Sequence, residues 1–401
     1  MGSCRVFCTK YNAPPGVRDG DESFKMQCIG PRHGSSPWRV RTLEYRLMND
    51  ARPAAVAPPS AASALQFPFD HPPAPGTWYP VAPGVYWLRM PLPFALDHIN
   101  LWVLHDGPGW TLIDSGLNSE VTRGLWDRLV ESAFAGLPVQ RLIVTHFHPD
   151  HFGLAGWLTR RFSVPLWMTE SEYLATQVHC AQLAPVTRDA AIGLFTRHGL
   201  DAERQDALRQ QKHSYSRAVS EPPSSFNRML DGDTIMIDGR RWRVIVGYGH
   251  APEHAALYCA EIDTLISGDM VLPKISTNVS VWPTEPDGDP LSLFLRSVAR
   301  HAELPDRTLV LPSHGLPFYG LRARAAALHE HHRLRLDEVL TACTKPMSAA
   351  DIVPVLFRRK LDTHQISFAM GEAIAHLNHL MYQNSVTRTS DADGVLRFER
   401  R

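Results

Sequence analysis

The sequence predicts an α+β fold: two β-rich halves followed by a small module of helices and a hairpin. Three observations predict it. Short apolar runs bounded by turn residues recur from residue 85 to residue 312, and helical periodicity alternates with them. Beyond Gly320 that alternation stops, and three helical patterns precede two β runs around Asp393-Gly394. The 401 residues suffice for two ordinary domains plus tails, because single cores stop growing at roughly 250–300 residues. Lys+Arg and Asp+Glu both number 41, so the chain lacks the overall basicity through which a nucleic-acid binder neutralises phosphates.

Residues 1–75 hold 11 of the 32 prolines and the Ala/Pro/Ser tract from Ala51 to Ala64, with no sustained period. They read as a disordered leader, with Met48 as the expected start of the native chain. Order is expected from near Tyr79. VYWLRM (85–90), INLWVLH (99–105) and WTLID (110–114) read as strands, Val121 to Phe134 as a helix, then RLIVTH (141–146), a helix from Phe152 to Phe162, and VPLWM (164–168). Residues 170–217 carry two or three helices as an insertion, with breaks at Pro185 and Gly199. TIMID (234–238), WRVIVG (242–247), AALYCA (255–260) and TLIS (264–267) form a second β-rich half, completed by a helix over 290–301 and TLVLP (308–312). Helices over 321–343, 348–359 and 363–383 with the runs 385–389 and 395–399 give a winged-helix pattern, in which Ser348 and Asp351 cap a middle helix that Pro354 must kink or delay.

No stretch reaches the 18 apolar residues of a membrane span, and residues 1–16 lack the apolar centre of a signal peptide. The six scattered cysteines form no C-x-x-C pair. A cytoplasmic, reducing setting is the expectation.

Twenty histidines against six cysteines is the unusual count, and imidazole is the commonest metal ligand. The strand RLIVT ends in Thr145-His146-Phe147-His148-Pro149-Asp150-His151, which places three imidazoles and a carboxylate within six residues. Its four ligand positions would arise by accident in roughly three of a thousand chains of this composition. His250, Asp269 and His314 each follow an apolar strand, where functional residues of α/β-type folds gather. Singly, each is more often a capping or core residue. Together, a His-x-His pair with His250 makes one site, Asp150, His151 and His314 a second, and Asp269 can bridge two divalent ions.

These residues resemble the metallo-β-lactamase superfold over about residues 80–320. Five motifs stand in order: Asp114 in TLIDSG, T-H-F-H-P-D-H at 145–151, G-H-A-P-E-H at 249–254, S-G-D at 267–269 and L-P-S-H-G at 311–315. The resemblance implies a four-layer αβ/βα sandwich over 76–320. It places His146, His148 and His250 on one metal, Asp150, His151 and His314 on the other, and Asp269 between them, with Asp114 steadying a ligand from behind. The segment 356–386 looks like the winged-helix-like tail of one subgroup, here 321–401. His148 fills the position where flavodiiron relatives place a Glu, which disfavours a redox di-iron site. The insertion departs from the compact glyoxalase II arrangement, so specificity for glutathione thioesters does not carry over.

The other histidines have plainer readings. His254 reads as structural support behind the ligands, and the pairs His329/His332 and His376/His379 as packed or surface helix residues. His213 and Tyr215 are weaker candidates for a lid. The function expected is hydrolysis of a small-molecule ester or thioester, acyl-thioesters preferred, by a hydroxide bridging two divalent ions, with Asp150 orienting it or taking its proton. Zinc suits a departing thiolate; iron and manganese share the same ligand types. The alternative is an RNA or DNA phosphodiesterase. With 12 Lys+Arg against 9 Asp+Glu from 321 to 401, nucleic acid is disfavoured, and oligomerisation is a second use for the tail.

Overall fold

Alternation of side chains along the strands dictates the layers. The computed structural model describes residues 65–401 except 95, 185 and 212–214. Most of the expected leader, Met48 and His213 therefore lie outside the described residues. The first sheet has seven strands in sequential order: β1 (Trp78–Ala82), β2 (Val85–Pro91), β3 (His98–Asp106), β4 (Gly109–Ile113), β5 (Val139–Ile143), β6 (Leu166–Met168) and β7 (Asn227–Arg228). β1 to β4 are antiparallel, and β4 to β7 are parallel. Parallel neighbours need crossovers. These are α1 (Glu120–Ser132), then α2 (Pro149–Phe152) with α3 (Ala155–Phe162), then α4 (Glu170–Cys180), α5 (Arg188–Arg197), α6 (Ala202–Gln210) and α7 (Tyr215–Ala218).

The second sheet comprises β8 (Thr234–Ile237), β9 (Arg240–Gly247), β10 (His254–Cys259), β11 (Thr264–Gly268) and β12 (Leu309–Pro312), in the order β12-β11-β10-β9-β8. Only β11 and β12 run parallel, and α8 (Pro290–His301) links them. Val85 and Trp87 of β2 pack with Trp242 and Val244 of β9 between the sheets, whereas Leu88 and Met90 point the other way, onto Leu125 and Trp126 of α1. Outside the second sheet, Ile245 and Val310 meet Phe294 of α8 and Leu328 of α9 (Leu321–Ala342). Helix, sheet, sheet and helix stack as a four-layer αβ/βα sandwich.

The chain ends in α10 (Ala349–Leu356), α11 (Thr363–Tyr382) and a hairpin of β13 (Val386–Ser390) and β14 (Leu396–Arg400). Ser348 and Asp351 form the capping box of α10, and Pro354 lies inside that helix, which ends two residues later. Asp362 and Gln365 do the same for α11.

Several expectations change. The described chain is already anchored at Gln66, which pairs with Tyr319, and Phe69 packs edge-on to Trp87, so the leader cannot extend to residue 75. A proline-rich strap shows no period, yet two main-chain bonds and an aromatic anchor fix it. Among the described residues the insertion holds four helices; α5 and α6 carry Phe195 and Leu208 into one core with Ile352, Met370 and Phe398 of the tail. The helix expected from 152 to 162 is divided after Phe152, where Leu154 N–H turns to Gly116 O. α9 begins in the second-sheet core and in its last turns carries Val339 into the tail core, so residue 321 marks no break in packing. No described helix is long and apolar enough to cross a membrane.

Candidate metal centre

The ends of β4, β5, β9, β11 and β12 open onto one edge of the sandwich, and the loops leaving them carry the site. Asp114 follows β4 in the left-handed region, at φ 62°. That strained turn aims a buried carboxylate at the loop after β5, where it accepts from Thr145 N–H at 2.8 Å and from His151 Nδ1 at 2.8 Å. His151 is thereby left with Nε2 toward the cleft. Asp150 Oδ2 stands 3.7 Å from it and Asp269 Oδ1 3.6 Å. His314 is oriented the same way, Nδ1 donating to His98 O at 2.8 Å, and its Nε2 lies 3.4 Å from both Asp150 Oδ2 and Asp269 Oδ1.

Beside this group, His146 Nε2 faces His148 Nδ1 at 2.9 Å and His250 Nε2 at 3.2 Å. His250 Nδ1 donates to Asn278 O at 2.8 Å, and its Nε2 is 3.5 Å from the second oxygen of Asp269. Donor atoms of His146, His148 and His250 all lie within 4.8 Å of one another, as do those of Asp150, His151 and His314, and of His146, His151 and Asp269. Asp269 thus touches both groups, one oxygen to each.

Electrostatics divide the two groups. Burial and the neighbouring His250 push His148 down to about 3, and burial with its neighbouring imidazoles takes His146 well below its ordinary value. Burial would also lower His314, yet Asp269 and Asp150 lift it to about 10, and Asp114, Asp150 and Asp269 raise His151 likewise. Against a burial effect of opposite sign, His151 and His314 hold Asp150 at about 2. Neutral imidazoles and ionised carboxylates are the forms that bind divalent cations, so His146, His148 and Asp150 are already in that form, and an ion would displace the protons that the carboxylates hold on His151 and His314. The buried Nε2 of His151 and Oδ1 of Asp269 have no hydrogen-bond partner, as expected of atoms meant for an ion. The donor set therefore fits one or two divalent metals.

Residues 95–314 match the family model described as the metallo-beta-lactamase superfamily, and residues 336–401 match its metallo-beta-lactamase-like C-terminal domain. The chain belongs to the metallo-beta-lactamase superfamily. It is 49% identical to a crystal structure of a beta-lactamase domain protein from Burkholderia ambifaria, covering 84% of this chain and 98% of that one at a TM-score of 0.79. A metallo-beta-lactamase family protein from Thermus thermophilus is 31% identical, with 80% and 99% covered and a TM-score of 0.68. "Probable metallo-hydrolase YqjP" of Bacillus subtilis is 26% identical over 315 residues, 75% of this chain and 93% of that protein. The chain is accordingly a metal-dependent hydrolase with the metallo-beta-lactamase fold.

All seven expected ligands, with Asp114, meet at this edge. His254 lies behind them, its Nε2 accepting from the N–H of Asp269 at 3.0 Å. Tyr215 is no lid: its hydroxyl donates to Phe147 O, and its ring packs against Phe147 and His179 beneath the His-x-His turn. Three supports had no signal in the sequence. Glu172 of α4 accepts from Phe147 N–H at 2.9 Å and from Glu253 N–H at 2.6 Å, joining two ligand loops; burial nevertheless raises its carboxyl to about 7. His98 and Asn278 act through main-chain carbonyls, which any residue type supplies.

Proposed function

We propose that the enzyme hydrolyses small-molecule esters or thioesters, acyl-thioesters preferred, and that zinc fills two adjacent sites. One site is His146, His148 and His250; the other is Asp150, His151 and His314; Asp269 joins them. The observation that carries the two-site reading is Asp269, whose oxygens face different imidazole groups. Bound there, divalent ions would supply Lewis acidity and a water nucleophile at neutral pH. Asp150, with Oδ2 engaged by His314 and His151, leaves its second oxygen to orient the attacking water and take its proton. That proton then passes to the departing thiolate or alkoxide as the acyl–sulfur or acyl–oxygen bond breaks.

An apolar rim supports an acyl substrate. Phe94, half exposed, stacks on His364, which meets Phe368 edge-on. Phe94 lies on the loop leading to His98, and the carbonyl of Phe368 lies 3.5 Å from the hydroxyl of Ser280, two residues beyond Asn278. The rim therefore joins the two backbone segments that brace the ligands.

The phosphodiesterase alternative finds less support. Arg333, Arg335, Arg358, Arg388 and Arg397 each pair with a carboxylate, so these cations of the tail are already neutralised. Incubating metal-loaded protein with acyl-CoA and acyl-glutathione thioesters, lactones and a labelled single-stranded RNA tests the proposal. Thioester or ester turnover is expected, and RNA cleavage without it overturns the reading.

A further inference from the structure

The segment from Met270 to Asp289 runs from the bridging carboxylate to the start of α8, and its middle is fastened to α11 of the C-terminal domain. Val281 N–H donates to Gly371 O at 3.1 Å, and the Asn278 amide donates to Glu372 Oε2 at 3.2 Å. Asn278 Oδ1 in turn accepts from Ser280 Oγ at 2.6 Å. Further along, Asn378 Nδ2 donates to Gly288 O at 2.9 Å, Tyr382 donates to Asp287 O at 2.7 Å, and His379 pairs with Asp289 at 3.0 Å. The approach is close: a Cβ at Gly371 would lie 2.7 Å from Ser280.

This fastening reaches the site at His250 Nδ1, which lies 2.8 Å from Asn278 O and 3.4 Å from Thr277 Oγ1. Asn278 O accepts from His250 Nδ1, and that bond decides which ring nitrogen His250 turns to the cleft. His151 and His314 are held differently, by Asp114 and His98 within the sandwich. Glu372 is a half-buried carboxylate whose pairing with the Asn278 amide offsets part of the cost of its desolvation.

We propose that Glu372 and Asn278 are positioning residues through which the C-terminal domain orients His250, and so selectively supports the His146/His148/His250 site. The proposal rests on the reading of His250 as a ligand. Removal of a ligand's direct partner weakens metal binding about 10- to 100-fold; Glu372 and the Asn278 amide act one bond further out, so a loss of about 10-fold is expected, at one of two sites.

The test is titration of the metal-stripped full chain with Co²⁺ against a chromophoric chelator, with the cobalt absorption spectrum recorded at each step. The wild type should show two steps, and His250→Ala should lose one of them. Glu372→Ala and Asn278→Ala, which keep the Asn278 carbonyl but release it from α11, should weaken that same step about 10-fold, while Glu372→Gln, which keeps an acceptor oxygen, stays within about threefold of wild type. If Glu372→Ala does not fold, Asn278→Ala on the loop decides alone. If His250→Ala leaves both steps unchanged, the ligand reading fails and this proposal with it. If His250→Ala loses a step while Asn278→Ala and Glu372→Ala bind both as wild type does, only the positioning proposal is overturned. Equal weakening of both steps, or no rescue by Glu372→Gln, overturns it as well, because a merely structural role would act on both sites.

Discussion

Asp150 faces His314 and His151 through one carboxylate oxygen, at 3.4 and 3.7 Å, and it is partly open to the cleft. In the proposed mechanism this residue would hold a metal and also move a proton, so its neighbours could not replace it. Asp150→Ala should lower kcat by at least about 10²-fold with an unchanged far-UV circular dichroism spectrum, and unaltered turnover would refute its role. Asp114 acts one layer further back. Asp114→Ala leaves Thr145 N–H and His151 Nδ1 without their buried acceptor. Metal affinity should fall about 10- to 100-fold by chelator competition, and wild-type affinity would show that His151 needs no such partner. At this scale the meeting of the candidate ligands was legible because His and Asp must occupy fixed steps after a strand end. Asn278 and His98 were not, because a main-chain carbonyl leaves no mark in residue type.

Between β9 and His250 the chain must turn sharply, and Gly249 does so at φ 97°. A Cβ there would meet Pro290 O at 2.3 Å and Phe294 N at 2.6 Å, both backbone atoms of α8 that cannot yield as a side-chain tip would. Strain in this region costs on the order of 1–3 kcal/mol before any clash is counted. Gly249→Ala should therefore lower unfolding stability by at least about 2 kcal/mol in urea, and it should weaken metal binding because His250 moves with the turn. An unchanged urea midpoint would mean that α8 can shift. Strands were legible wherever apolar runs are long and two-sided, as in β3 and β9, and the cap at Ser348 was legible from its spacing. β1, half exposed and opened by Trp-Tyr-Pro, and β7, two exposed residues, have no apolar pattern to find.

Joining of the helical insertion to the C-terminal domain is a property of the whole molecule, and the sequence could not announce it. Ile192 and Phe195 look like any apolar helix face, and only the fold sets them against Ile352 and Phe398. Within and beside this joint lie histidines held neutral. Burial takes His332 to about 3, His376 to about 4 and His198 to about 4, and the rings of His332 and His376 sit 5.6 Å apart. For a base lowered in the fold, the stability it contributes is complete above its unfolded value of 6.5 and is lost as the pH falls from there toward the folded value. Glu372 has the opposite sense: raised to about 7, its contribution is complete below about 4.5 and lost as the pH rises through 7, so it offsets one of the three. Net loss between pH 6.5 and 5 is expected, at about 1.4 kcal/mol per pH unit for each uncompensated histidine. His376→Leu removes one such group together with its Nδ1 bond to Glu372 O, a loss that is the same at both pH values, and Nε2 of His376 has no hydrogen-bond partner. In metal-stripped protein, where the metal-site histidines titrate equally in both chains, urea unfolding at pH 6.5 and pH 5 should show this variant losing about 2 kcal/mol less than wild type. Equal losses would mean that His376 is protonated, or reached by water, in the folded chain.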